Sequence, residues 1–110
     1  MGESQEQLQC AIVYPRAGKA DRLKEIMNGI IASMQENEPN ALQYQVFFGS
    51  RPGGEPIMIV LEKYKNQEAL HQHRQNPKLA ELRRVATEES LFAHPPEIIP
   101  LSMLGQVQRP

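Results

Sequence analysis

The stretch Leu61-Glu62-Lys63-Tyr64-Lys65-Asn66-Gln67-Glu68-Ala69-Leu70-His71-Gln72-His73 decides the fold, because an apolar strand ends in it and a short helix begins. Ile57 to Leu61 is a continuous apolar run, and Glu62 and Tyr64 close it two residues apart, on one side of a strand. Asn66 is a favoured cap residue, and Ala69, Leu70 and His73 follow at helical spacing. His73 therefore shares a helix face with apolar residues, which makes it a candidate functional group.

Upstream, Leu42, Tyr44, Val46 and Phe48 alternate with Gln43 and Gln45, a strand with one apolar face. Gly49 and the turn set Arg51-Pro52-Gly53-Gly54 then return the chain into Pro56 to Tyr64 as an antiparallel partner. Further back, Leu23, Ile26, Met27, Ile30, Ile31 and Met34 form one helical stripe, predicting an amphipathic helix from Lys19 to about Asn37. Glu38-Pro39-Asn40 ends it, since proline disfavours helix in the residue before it. Leu8 to Tyr14 alternates, with Leu8, Cys10, Ile12 and Tyr14 on one side, and stops at Pro15 and Gly18, so it reads as a first strand.

Downstream, Pro77 breaks the short helix and suits a first-turn position of its own. Pro77 to about Glu89 is thus a further helix with Leu79, Leu82, Val85 and Ala86 inward. Glu97 to Leu104 reads as a last strand, and Pro100 inside it, lacking a donor, predicts an edge or a bulge. Strand, helix, strand, strand, helix, strand predicts an α+β fold, a ferredoxin-like βαββαβ arrangement with a four-stranded antiparallel sheet and helices on one face. The middle strands are apolar on both sides, with Phe47, Ile57, Ile59 and Leu61 opposite Tyr44, Phe48, Met58 and Val60. The second face needs cover, which a homodimer packed sheet to sheet would supply.

At 110 residues the chain has room for one domain, expected over 8–104 between flexible tails at 1–7 and 105–110. With 12 basic and 13 acidic residues spread along it, it has no electrostatic footprint for nucleic acid or an anionic membrane. No apolar run approaches the roughly 20 residues that span a bilayer. One cysteine, Cys10, cannot close an internal disulfide, and the N-terminal segment lacks signal-peptide character. A soluble protein of the reducing cytoplasm is expected.

Each candidate residue has a plain structural alternative. His73 is either a ligand contact or a satisfied core histidine, while His71 and His94 fall off apolar faces and are expected at the surface. His71 and His73, two apart on a helix, diverge, so no metal site is expected. Glu62 is either a buried acid or the partner of an arginine such as Arg74, and the ion pair is the preferred reading. Tyr44 and Phe48 suit stacking on a flat ring as well as plain core packing. Met27, Met34 and Met58 suit an adaptable pocket or simple gap filling. Cys10 has no adjacent base, and Gly53-Gly54 opens no helix and cradles no phosphate.

Taken together and in order, the first strand leading into Pro15-Arg16-Ala17-Gly18, the Glu38-Pro39 turn followed by Tyr44, and Leu61-Glu62-Lys63-Tyr64 through Glu68-Ala69-Leu70 to His73 and the Asn76-Pro77 break resemble the antibiotic biosynthesis monooxygenase (ABM) family of the dimeric α+β barrel superfamily. The resemblance runs from about Cys10 to Leu104. It departs at Asn40, where many members have glycine, at Lys78, near which a second histidine is common, and in having no tryptophan.

That resemblance implies a cofactor-independent monooxygenase that oxidises a phenolic or quinol-type, polyketide-like polycyclic aromatic with dioxygen, the substrate itself acting as reductant without flavin, haem or metal. It implies His73 as proton acceptor and Tyr64 as orienting hydrogen-bond donor, with Tyr44, Phe48, Met58, Glu62 and Met27 as substrate contacts. The alternatives are a non-oxidative isomerase, cyclase or decarboxylase on a similar molecule, or a ligand-binding dimer without catalysis.

Overall fold

The computed structural model describes residues 5–110. In chain order the elements are β1 (Gln7–Val13), α1 (Ala20–Asn37), β2 (Ala41–Ser50), β3 (Pro56–Tyr64), α2 (Gln67–Arg74), α3 (Pro77–Glu88) and β4 (Glu97–Leu101). The strands form one antiparallel sheet in the order β2-β3-β1-β4. This is the expected ferredoxin-like α+β arrangement, with its second helical segment divided into α2 and α3. Of the expected N-terminal tail, residues 1–4 lie outside the described residues, and Gln7 already belongs to β1.

The two breaks around α2 follow from local chemistry. Asn66 caps α2 by accepting a hydrogen bond from the Ala69 amide at 2.9 Å. Asn76 caps α3 by accepting from the Lys78 amide at 2.9 Å, with Pro77 in the first turn, where its missing donor costs nothing. Beyond α3, Ser90 takes a left-handed backbone (φ 53°) and turns the chain, so that the Leu91 amide reaches the Ala86 carbonyl at 3.0 Å.

Pairing register sorts the sheet residues onto two faces. Gln9 and Tyr44 both oppose Glu62, Ala11 and Val46 oppose Val60, and Phe48 opposes Met58, all on the helix-covered side. There Leu23, Met27, Ile30 and Met34 of α1 pack onto Val13, Met58 and Val60. Burying each large side chain stabilises the fold by about 1.5–3 kcal/mol.

The other face carries Leu8, Cys10 and Ile12 from β1 beside Ile59 and Leu61 from β3, with Phe47, Ile99 and Leu101 flanking them. No helix covers it, and Phe47 is 50% exposed. The larger side chains of β1 thus point away from the helices.

Strand β4 is an edge, which accommodates Pro100 opposite Gln9. It stops at Leu101 rather than Leu104, because Leu101 pairs with Leu8 at the start of β1 and the next residues have no strand to join. Among the described residues no helix is long and apolar enough to cross a membrane.

Candidate functional site

Between the helices and the inner face of the sheet lies a cavity of about 430 Å³, within the usual size range of small-molecule sites. Its floor is the sheet, through Gln9, Ala11, Val13, Met58, Val60 and Glu62. Met27 and Tyr44 wall one side, and Leu79 and Leu82 of α3 and Phe92 wall another. His73 and Arg74 enter from the end of α2, Arg83 from α3, and Ile98 from β4. Strand alternation and the helical stripes explain the apolar walls, and the polar groups are few and local.

Those polar groups form one network. Glu62 is 4% exposed, and its Oε1 accepts hydrogen bonds from Tyr64 Oη at 2.6 Å and Gln9 Nε2 at 3.0 Å. His73, also 4% exposed, places Nδ1 3.0 Å from Glu38 Oε1, and Asn76 Nδ2 donates to Glu38 Oε2 at 2.7 Å. In the neutral imidazole, Nδ1 facing Glu38 is the nitrogen that carries the proton, which leaves the lone pair on Nε2. Nε2 lies 3.9 Å from Glu62 Oε1, beyond hydrogen-bond reach. No buried side-chain nitrogen or oxygen among the described residues is sealed without a partner, so His73 Nε2 opens onto the cavity it lines. The His73 ring is flanked by Tyr44 and Tyr64, with centroids 5.4 and 5.2 Å away.

Burial first, and the Glu62 carboxylate second, push the Tyr64 and Tyr44 phenols well above the ordinary tyrosine range. Both remain neutral donors at any physiological pH. Burial, with Glu62 behind it, also raises the Cys10 thiol, which leaves it a poor nucleophile.

Of the residues singled out from sequence, His73, Tyr44, Glu62, Met58 and Met27 meet around the cavity. Tyr64 and Phe48 do not line it. Tyr64 is fully buried behind Glu62, and Phe48 lies on the edge strand β2, level with Met58, beneath the Lys24 ammonium, 5.2 Å from the ring centroid. Glu62 does not pair with Arg74, because Tyr64 and Gln9 occupy its oxygen from within the sheet while Arg74 sits on the exposed side of α2. His71 and His94 are exposed, bonded to Gln75 and Glu55. Among the described residues no group of three or more His, Cys, Asp or Glu side chains is arranged to hold a metal ion.

Glu38, Asn76 and Gln9 were not singled out as site residues. Glu38 had a detectable signal, since a carboxylate at a helix C-cap stands where the macrodipole disfavours negative charge and calls for another partner. Asn76 stood out only as part of the break before Pro77, and its side-chain nitrogen is free for Glu38 because its oxygen does the capping.

The Antibiotic biosynthesis monooxygenase family model matches residues 9–85, which takes in both the Glu62–Tyr64 strand end and the His73 helix. The chain belongs to the antibiotic biosynthesis monooxygenase family. Its fold is that of several solved structures. Rv0793 from Mycobacterium tuberculosis superposes with a TM-score of 0.74 over 94% of this chain and 100% of that one, at 20% identity. PA3566 from Pseudomonas aeruginosa gives 0.75 over 94% and 100%, also at 20% identity. A candidate antibiotic biosynthesis monooxygenase from Caulobacter crescentus CB15 gives 0.74 over 94% of each chain at 24% identity. No curated protein matches the sequence. In this ABM protein the family's scaffold surrounds a cavity with one histidine base candidate and a buried carboxylate beside it.

Proposed function

We propose that this ABM protein is a cofactor-independent monooxygenase acting on a phenolic or quinol-type polycyclic aromatic of polyketide-like character. The observation that carries the reading is His73, tied to Glu38 through Nδ1 and open through Nε2 to an apolar cavity. Membership of the family supports a monooxygenase-like chemistry, and the cavity supports the choice of substrate class.

In this mechanism a phenol hydroxyl donates to His73 Nε2 and transfers its proton there. The imidazolium that forms is stabilised by the Glu38 carboxylate through the Nδ1 proton, a charge-assisted hydrogen bond between two largely buried side chains. Asn76 holds Glu38 in position from its other oxygen. The phenolate is electron-rich enough to pass an electron to dioxygen, and recombination forms the carbon–oxygen bond. For a naphthol-type ring, one C–H becomes C=O, the second oxygen atom leaves as water, and the ring supplies all four electrons. One naphthol and one dioxygen give one quinone and one water.

Tyr64 is a positioning residue in this scheme: its hydroxyl fixes Glu62, which faces the cavity, and does not reach the substrate itself. Tyr44 offers a ring to stack on, and Met27 and Met58 offer adaptable apolar contact. The protein acts as a homodimer, two copies packing through the helix-free faces of their sheets, a reading supported by the apolar row Cys10, Ile12, Ile59, Leu61 and Ile99.

The test is dioxygen uptake by metal-stripped protein with anthrones, naphthols and hydroquinones, alongside His73→Ala. Uptake matched by product is expected, with turnover roughly 10²–10⁴-fold lower in the variant. Ring binding without uptake would replace the oxygenase with a non-oxidative proton-transfer enzyme or a binding dimer. Unchanged turnover in a folded variant would remove His73 from the mechanism.

A further inference from the structure

Four arginines lie on helices, and they divide by what they face. Arg22 pairs with Glu25 and Glu89, and Arg84 pairs with Glu88, all on outer surfaces. Arg74 and Arg83 line the cavity, are exposed at its rim, and make no ion pair or side-chain hydrogen bond with any described residue. The acidic group of the cavity, Glu62, is buried in its floor and already bonded to Tyr64 and Gln9, while Glu38 lies outside the lining, behind His73. The result is a polarised cavity, with one carboxylate in the floor, apolar walls, and two guanidinium groups without a partner among the described residues at the opening.

We infer that the substrate carries an anionic substituent, a carboxylate or a phosphate, which Arg74 and Arg83 hold at the cavity rim while the phenolic ring reaches His73. A planar guanidinium recognises either anion through paired N–H donors, and it does so most strongly where an apolar wall excludes water on one side. The Glu62 carboxylate repels an anion from the floor, so the same arrangement fixes which end of the molecule enters first. The inference rests on the proposed aromatic site but not on the oxidative step.

The experiment measures anaerobic binding of three probes, 6-hydroxy-2-naphthoate, its methyl ester and 2-naphthyl phosphate, to the wild type and to an Arg74→Gln/Arg83→Gln double variant. Both positions are exposed, and circular dichroism checks that the variant folds. The expected result is that at least one anion binds about tenfold more tightly than the ester, that added salt erodes the difference, and that the double variant abolishes it. Which anion gains shows whether the substituent is a carboxylate or a phosphate. Equal affinity for all probes, no binding of any, or a preference that survives both substitutions overturns the inference. Anion preference without dioxygen uptake from any ring would overturn the oxygenase instead and leave this inference standing.

Discussion

The two faces of the sheet are built from the same four strands, yet one seals a polar network under helices and the other leaves an apolar patch uncovered. On the helix-covered face Gln9, Glu62 and Tyr64 sit side by side in β1 and β3, where register alone makes them neighbours. One residue along each strand, Cys10, Leu61 and Lys63 point the opposite way, and Ile12, Ile59 and Phe47 form an apolar row that ends in Glu97 at β4, with Gln43 and Gln45 beside Lys63 and Leu61. A period of two thus separates a site for chemistry from a surface for association, without any separate domain. Polar groups are tolerated under the helices because none among the described residues is sealed away without a partner. Apolar groups on the other face find none within the described residues of one chain, and this asymmetry is the physical reason for proposing a dimer.

The sharpest way to break the comparison is to charge the apolar face. Ile59 stands between Ile12 and Phe47 at the centre of that face, so Ile59→Lys would place an ammonium in a dry contact between copies. Dimer dissociation by several orders of magnitude in Kd is expected by analytical ultracentrifugation, with the fold retained, since no helix packs there. A wild type that sediments as a monomer would end the two-face account.

A paired truncation sharpens it at smaller amplitude. Met58 is 1% exposed on the inner face and Phe47 is 50% exposed on the outer one. Met58→Ala should cost about 2–5 kcal/mol in urea unfolding wherever association is weak. Phe47→Ala, the larger truncation by volume, should cost well under half of that in dilute protein and act mainly on the association constant. Equal losses in dilute solution would mean that the outer face is already packed within one chain.

The same separation explains what the sequence could and could not convey. Strands, helices, the edge position of Pro100 and the two breaks around α2 are local in origin, set by alternation, the α1 stripe, the Asn66 cap and Pro77, and each was legible. His73, Tyr44, Glu62, Met27 and Met58 share a cavity because periodicity puts each of them on an inward face. Glu38 escaped notice because its partner lies 35 residues away, and only the return of the chain at Asn76 brings α2 against the end of α1. Phe48 faces inward as its alternation requires and lies level with Met58, but β2 is an edge strand, so Phe48 sits beside the cavity under Lys24, and alternation is silent about where a strand falls in the sheet order. The expected Glu62–Arg74 pair failed for a related reason. A helical residue adjacent in sequence to an inward one is turned about 100° from it, so Arg74 reaches the rim while His73 reaches the floor.

The smallest expected effect separates the two roles a buried tyrosine can have on the inner face. Tyr64 is fully buried, and its hydroxyl donates to Glu62 at 2.6 Å, so Tyr64→Phe removes one of two donors to a buried carboxylate. A loss of about 1–3 kcal/mol is expected at neutral pH. The pH dependence identifies its origin. In the unfolded chain the phenol ionises near pH 10, whereas burial and Glu62 hold it protonated in the fold well beyond that. Above about pH 10 the unfolded state therefore binds fewer protons than the native state, and stability falls as pH rises. This contribution is fully present below pH 10 and is lost above it, with Tyr44, shifted in the same direction, adding a similar slope. Tyr64→Phe lacks its share of the slope, so its stability should converge on that of the wild type between about pH 10 and 11.5, by roughly 1.4 kcal/mol per pH unit at most. Parallel curves across that range would mean that the hydroxyl ionises as readily in the fold as outside it, and Tyr64 would then be packing rather than positioning Glu62.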